Sequence, residues 1–246
     1  GEESSSVGIE AGSWRRIRAL FRRYAYLHKR SVLRLFDIFF WPVLDLLIWG
    51  FVVVYIREAA EGRIAHFIVF ILGAVISWDI HYRSQQAVTL SLMEEVWTRN
   101  AVNMLIAPSR AWEWVAASFL YGIAKITIIT AILTILAELL YAFDVAAMGW
   151  AFLPLVVNLL FFGWAIGLFT AGFLVRYGYA AETLIWGIPF LIQPFSCVFY
   201  PVSALPGWAR VPAMMLPSTH VFEGLRNVLS GQSIHWETWG VIVGLN

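Results

Sequence analysis

From Ser13 onward apolar residues recur at helical spacing, at Trp14, Ile17, Leu20, Phe21, Tyr24 and Leu27, while Arg15, Arg16, Arg18, Arg22, Arg23, Lys29 and Arg30 fill the positions between them. The pattern predicts an amphipathic basic helix over 13–34. Such a helix lies in the headgroup layer with its aromatic face at the acyl boundary and its arginines on anionic lipid phosphates. Charge is interleaved with the apolar residues, which sets this stretch apart from the continuous apolar core of a secretory signal. Residues 1–12 (GEESSSVGIEAG) are small, polar and acidic, have no apolar period, and read as a flexible leader.

The pattern then changes to apolar runs of bilayer length, which requires about 20 residues. Phe36–Ile56 is the first, and Ile64 to about Tyr82 returns after a short polar turn. Residues 84–113 are the longest polar interruption. Trp114–Ala137 and Ala151–Val175 follow as third and fourth spans, and a fifth, Thr183–Tyr200, carries Pro189 and Pro194. Ser218–Ser230 reads as an amphipathic helix with Gly231 as its C-cap. Trp236 starts a sixth span of which eleven residues are present. At 1.5 Å per residue that is too short for a ~30 Å hydrocarbon core, so the span is expected to continue past Asn246.

Composition agrees: 60% of the residues are hydrophobic and 13% charged, against roughly 45–50% and 25% in a soluble domain. The net charge of +1 gives no footprint for nucleic acid, and the basic residues gather at one end. The single cysteine, Cys197, excludes an intrachain disulfide and reads as a small core residue; the five histidines fall in no metal-ligand spacing. With the amino terminus inside, twelve basic residues are cytosolic (Arg15, Arg16, Arg18, Arg22, Arg23, Lys29, Arg30, Arg34, Arg83, Arg99, Arg110, Arg176) against four outside (Arg57, Arg63, Arg210, Arg226). That asymmetry orients the chain. Aromatic residues near span ends, Trp41, Tyr55, Tyr82, Trp112, Trp114, Tyr141, Trp150, Tyr177, Tyr200 and Trp208 among them, form an interfacial belt.

On this reading the chain is organised around 193–226, which is apolar enough for a membrane and too broken to cross one. Pro194, Pro201, Pro206, Pro212 and Pro217 each remove a backbone donor. A broken apolar stretch is tolerated at membrane depth only when buried among helices or lining a wet cavity, so 201–217 is a gate or lining element; a loop skimming the outer surface is the alternative. His220 and Glu223, three apart on a short helix, either share a proton or ligand or cap the helix. Two charges fall within spans, Asp45 in the first and Lys125 in the third, and an ion pair between them would fix span packing. Outside the spans, Glu94, Glu95, Val96, Trp97, Met104, Leu105 and Ile106 combine acidic and apolar groups on a short helix, the composition of a docking surface. No phosphate-cradling Gly-x-x-x-x-Gly-Lys-Ser/Thr loop is present, so any ATP chemistry belongs to another subunit.

FYPVSALPGW followed by LPSTHVFEGLR, together with FFWPVLDLLIWG at 39–50 and EEVWTRNAVNMLIAPSRAWEW at 94–114, resembles the type-2 ABC exporter permeases, which include polysaccharide, nodulation-factor and anthracycline-resistance exporters. The resemblance implies an all-α polytopic membrane fold of six transmembrane helices, preceded by the amphipathic interface helix and carrying short re-entrant helices at 201–217 before the last span. It implies a bacterial inner-membrane homodimer above two nucleotide-binding ATPase subunits, which hold the ATP and magnesium while this chain carries no cofactor. Residues 94–107 would be the coupling helix seated in an ATPase cleft. Pro201, Pro206, Trp208, Pro212, Pro217, His220 and Glu223 would lie near the exit. The substrate would be a lipid-linked glycan or a hydrophobic drug. Outside this family, an ion-coupled secondary transporter would use Asp45 and Lys125, but no inverted repeat is visible, and no nucleophile with its base supports an intramembrane hydrolase.

Overall fold

The computed structural model describes residues 2–30, 32–59, 65–97, 106, 110–144, 148–230 and 236–245, and among them all regular structure is helical. Helix α1 is Glu2–Lys29, α2 is Val32–Ala59, α3 is Ala65–Trp97, α4 is Ala111–Tyr141 and α5 is Phe152–Tyr177. Helix α1 starts at Glu2, so residues 2–12, expected as a leader, are helical.

The packing centre is α3, not the broken stretch the sequence singles out. It packs against α2, α4, α5 and a later helix, α8 (Pro217–Leu229). A helix covered on all sides must be apolar throughout or have its polar groups satisfied. Phe70, Ile71, Leu72, Ala74, Val75 and Ile76 meet the first condition. Ser77, His81, Ser84, Gln85 and Thr89 are equally buried, and the hydroxyls meet the second: Ser77 Oγ donates to the Gly73 carbonyl at 2.7 Å, Ser84 Oγ to the His81 carbonyl at 2.7 Å, and Thr89 and Thr170 share a hydroxyl hydrogen bond of 2.8 Å across to α5.

The α3–α5 seam is close because α5 has almost no side chain there. Gly163, Gly167 and Ala171 recur every four residues, and a Cβ on Gly167 would stand 2.5 Å from the Gln85 carbonyl oxygen; one on Gly163 would stand 2.7 Å from that of His81. Small residues at this spacing let two backbones approach in a membrane, where packing contacts replace the hydrophobic drive.

Three described stretches are long and apolar enough to cross a membrane: Ile38–Arg57, Ala111–Tyr141 and Phe152–Phe195. The last is two helices, α5 and α6 (Glu182–Phe195), joined by a 3-10 turn at Gly178–Ala181. Helix α6 ends five residues before the expected end of the fifth span. Its 14 residues reach about 21 Å, short of a ~30 Å core. Pro189 and Pro194 each delete a donor from it, and beyond it Cys197 takes a left-handed backbone, φ +54°. Cys197 is fully buried, as the sequence expects.

The remaining prolines start helices. Pro206 is the N-cap of α7 (Gly207–Met214), and Pro217 is the first residue of α8, where a missing N–H costs nothing. Pro212 lies within α7. Helix α8 ends with Ser230 as its cap, Gly231 lying outside the described residues. Helix α9 (Trp236–Gly244) is held to α5 by Asn158, whose amide donates to the Ile242 carbonyl at 2.8 Å.

Candidate functional site

At one end of the bundle α1 is tied to both neighbours of the segment 98–109. Arg16 and Arg23, seven residues apart, share a helix face with Ser13, Ile17, Leu20 and Tyr24. Ile17 and Tyr24 pack with Val88, Trp114, Ala117 and Ala171, which turns the two guanidiniums toward α3 and α4. Arg16 grips Glu113 with two hydrogen bonds of 2.8 and 2.7 Å, and Arg23 reaches Glu95 at 2.6 and 2.9 Å. Both carboxylates are buried. Glu113 also accepts the Arg110 backbone N–H at 3.0 Å, so one carboxylate caps the start of α4 and holds α1. The hydrogen bonds to Glu113 and Glu95 hold both guanidiniums above their ordinary value.

This corrects the expectation that the arginines of α1 serve lipid phosphates as a set. Arg15, Arg18, Arg22, Lys29 and Arg30 are exposed, whereas Arg16 and Arg23 turn inward. Glu94–Trp97 form the last turn of α3 rather than a separate helix. Glu95 is the buried partner of Arg23, while Trp97 is 49% and Ile106 76% exposed. Val96 lies in the same helical turn; Met104 and Leu105 fall outside the described residues.

Besides Asp45 and Lys125, α3 carries a second acid and base within reach of each other. Asp45 lies on the exposed face of α2, and the charged group acting on it is Asp79 of α3. Asp79 is clasped by Arg83 at 2.8 and 3.0 Å and also feels Lys125. Lys125, Arg83 and Glu94 line a cavity of about 60 Å³ with Tyr24, His28 and Tyr121. Asp79 and Arg83 were open to discovery in the sequence, since an acid and a base four apart on one helix form a pair within reach.

At the C-terminal part, α8 holds the broken stretch in place. Ser196 and Ser218 share a 2.7 Å hydroxyl hydrogen bond, and Thr219 donates to the Phe195 carbonyl at 2.9 Å. Glu223 accepts the Val202 N–H at 2.7 Å, and a ring nitrogen of His220 lies 2.9 Å from the Met214 carbonyl. His220 and Glu223 therefore serve the backbone of two different loops and do not meet each other. Arg226 donates to the carbonyls of Cys197 and Tyr200 at 3.0 and 2.9 Å, pairs with Glu223 at 2.9 Å, and stands over the Phe70 ring at 4.5 Å. Arg210 likewise donates to Ser203 and Leu205 carbonyls. Two arginines thus take up carbonyls that the prolines leave without helical donors, which is what makes non-helical backbone tolerable beside hydrocarbon. Arg226→Ala is expected to cost about 3 kcal/mol, several charge-assisted bonds being lost together. Proteolysis should then open 195–205 first, while Arg226→Lys recovers only part of the loss because one ammonium cannot fork. Around this scaffold Pro201, Pro206, Trp208 and Pro212 are exposed and Pro217 is buried. Trp208, Val211 and Met215 of this region stand 75%, 67% and 69% exposed.

These observations describe a helical membrane chain with a tethered basic interface helix and a proline-broken segment before its last helix. No curated protein matches the chain. A family model described as ABC-2 family transporter protein matches residues 58–245, from the end of α2 through α9. Covering more than three quarters of the sequence, that match shows that the chain belongs to the ABC-2 family of transporter membrane proteins.

Proposed function

We propose that the chain is the permease subunit of an ATP-driven exporter of the bacterial inner membrane, working as a homodimer over two nucleotide-binding subunits that hold the ATP and magnesium. As a family, ABC-2 permeases are membrane subunits that associate with ATPase subunits and are generally not catalytic themselves. The observation that carries the finer reading is the double clasp. Glu95 and Glu113 bracket 98–109, and α1 grips both. A force applied to 98–109 by an ATPase subunit therefore reaches α3, α4 and α1 together rather than one helix alone. Exposed Trp97 and Ile106 supply apolar surface for that contact, with Glu94, Glu95, Val96, Met104 and Leu105 completing the coupling region.

In this reading α2, α3, α4 and α5 are the first four spans, α6 with the residues that follow it to Tyr200 makes the fifth, α9 begins the sixth, the amino terminus is cytosolic, and 201–217 forms a re-entrant element near the exit. The exposed arginines of α1, with Trp14 62% exposed beside them, rest on the lipid headgroups. The substrate is amphipathic, a lipid-linked glycan or a hydrophobic drug. Native mass spectrometry of the chain co-expressed with its ATPase tests the assembly. A complex of two permease and two ATPase chains is expected, and Trp97→Ala combined with Glu94→Lys should dissolve it. A stable permease that never retains the ATPase would refute the reading.

A further inference from the structure

Helix α2 has one packed face and one open face. Ile38, Leu46 and Val53 are buried against the rest of the bundle. Along the edge of that packed face runs an exposed stripe of Trp41, Asp45, Ile48, Val52 and Tyr55, at alternating spacings of four and three, a continuous line on the helix. Trp41 is 61%, Ile48 51% and Tyr55 72% exposed, and Phe51 beside them 65%. Asp45 is the second residue of this stripe, within the Ile38–Arg57 span. Seven residues of helix put it about 10 Å from the Ile38 end.

A carboxylate at that depth does not face lipid at low cost; intramembrane acids face the protein interior or a wet cavity. Nor does a tight two-fold contact between copies suit this stripe, because the symmetry would bring one Asp45 toward the other without a compensating cation. Separation across water resolves both difficulties. The stripe then presents two carboxylates and a column of aromatic rings to a common space, and both features attract cations.

We propose that the Trp41–Tyr55 face of α2 lines a water-filled path between two copies of the chain, and that Asp45 makes this path favour amphipathic cations over anions. The proposal rests on the exporter reading for its dimer and names the substrate class that reading leaves open. A substrate bearing a protonated amine and an apolar body would have its charge met by Asp45 and its body by Trp41, Phe51 and Tyr55.

Charge-selective thiol labelling tests this without knowing the substrate. The wild-type chain serves as the blank, because its one cysteine is fully buried. Ile48→Cys and, separately, Val52→Cys are placed in the permease–ATPase complex in liposomes and reacted with a trimethylammonium-bearing or a sulfonate-bearing methanethiosulfonate; Ile128→Cys, mid-span on the exposed face of α4, serves as the position expected to face lipid. Both stripe positions are expected to react, the cationic reagent about 10-fold faster than the anionic one after correction for their reactivity with a free thiol. Adding Asp45→Asn should bring that ratio close to one. Failure of both stripe positions to react, as at Ile128→Cys, would overturn the water-filled path; reaction with a ratio that Asp45→Asn leaves unchanged would overturn the role of Asp45. Native mass spectrometry of the same preparation reports the ATPase separately, so selective labelling of a permease lacking ATPase would sink the exporter reading and leave the path standing.

Discussion

Gly167→Leu is expected to leave little folded chain, while Gly172→Leu, five residues along the same helix, folds normally. At Gly167 the first added carbon would meet the Gln85 carbonyl oxygen at 2.5 Å, a backbone atom in the most buried helix; at Gly172 it would meet nothing within 4 Å. Backbone cannot rotate aside as a side chain can, so α5 has to move away from α3. That movement also separates Thr89 from Thr170 and leaves buried hydroxyls seeking other partners. Overpacking costs about 1–3 kcal/mol for added methylenes, and a leucine that also breaks the seam lies at or beyond the upper end. For a chain of this size the corresponding fall in midpoint is about 10 °C or more. Thermal unfolding in detergent, followed by size-exclusion recovery, measures it. An unchanged midpoint for Gly167→Leu would mean that α3 and α5 do not pack at this seam.

The second large effect is functional. Breaking both clasps, with Arg16→Ala and Arg23→Ala together, is expected to separate ATP hydrolysis from transport. The ATPase subunits should hydrolyse ATP at a rate within about twofold of wild type, while substrate-coupled transport falls about 10-fold or more, the scale of an ordinary coupling free energy. The reason is mechanical: α3 and α4 would still flank 98–109, but α1 would no longer hold their ends at fixed spacing. Reversing one pair, Arg23→Glu with Glu95→Arg, should restore more transport than either single change leaves. Equal losses in the reversed pair and in the singles would show that Arg23 and Glu95 do not act through each other.

Much of this architecture was legible in the chain. The apolar runs gave α2, α4 and α5 to within four residues at each end, because a bilayer-length helix is written in composition over twenty positions and tolerates local error. Prolines marked the broken stretch, since each deletes a named hydrogen bond. What stayed hidden depends on pairs distant in sequence. Gly163, Gly167 and Ala171 look like ordinary span residues until the partner backbone is known, although their four-residue spacing was a usable signal. Arg16 and Arg23 resemble the lipid-facing arginines beside them, and only the positions of Glu95 and Glu113 distinguish the two kinds. The Asp45–Lys125 pair was drawn from depth, which can be estimated from sequence while helix rotation cannot; Asp79 and Arg83, four apart on α3, form a part-buried pair. His220 and Glu223 suggested shared chemistry, yet each answers a loop whose course no helical period predicts.

Site-directed cross-linking between the permease and its ATPase tests the central claim, that force enters through 98–109. Leu105→Cys, placed in the intact complex, is treated with a short bifunctional thiol reagent after the ATPase has been given single cysteines around its permease-facing cleft. The account predicts a covalent permease–ATPase product whose yield changes when ATP is added. A thiol at position 105 that reacts readily with a soluble maleimide, yet joins the ATPase in no nucleotide state while the complex stays assembled, would contradict it.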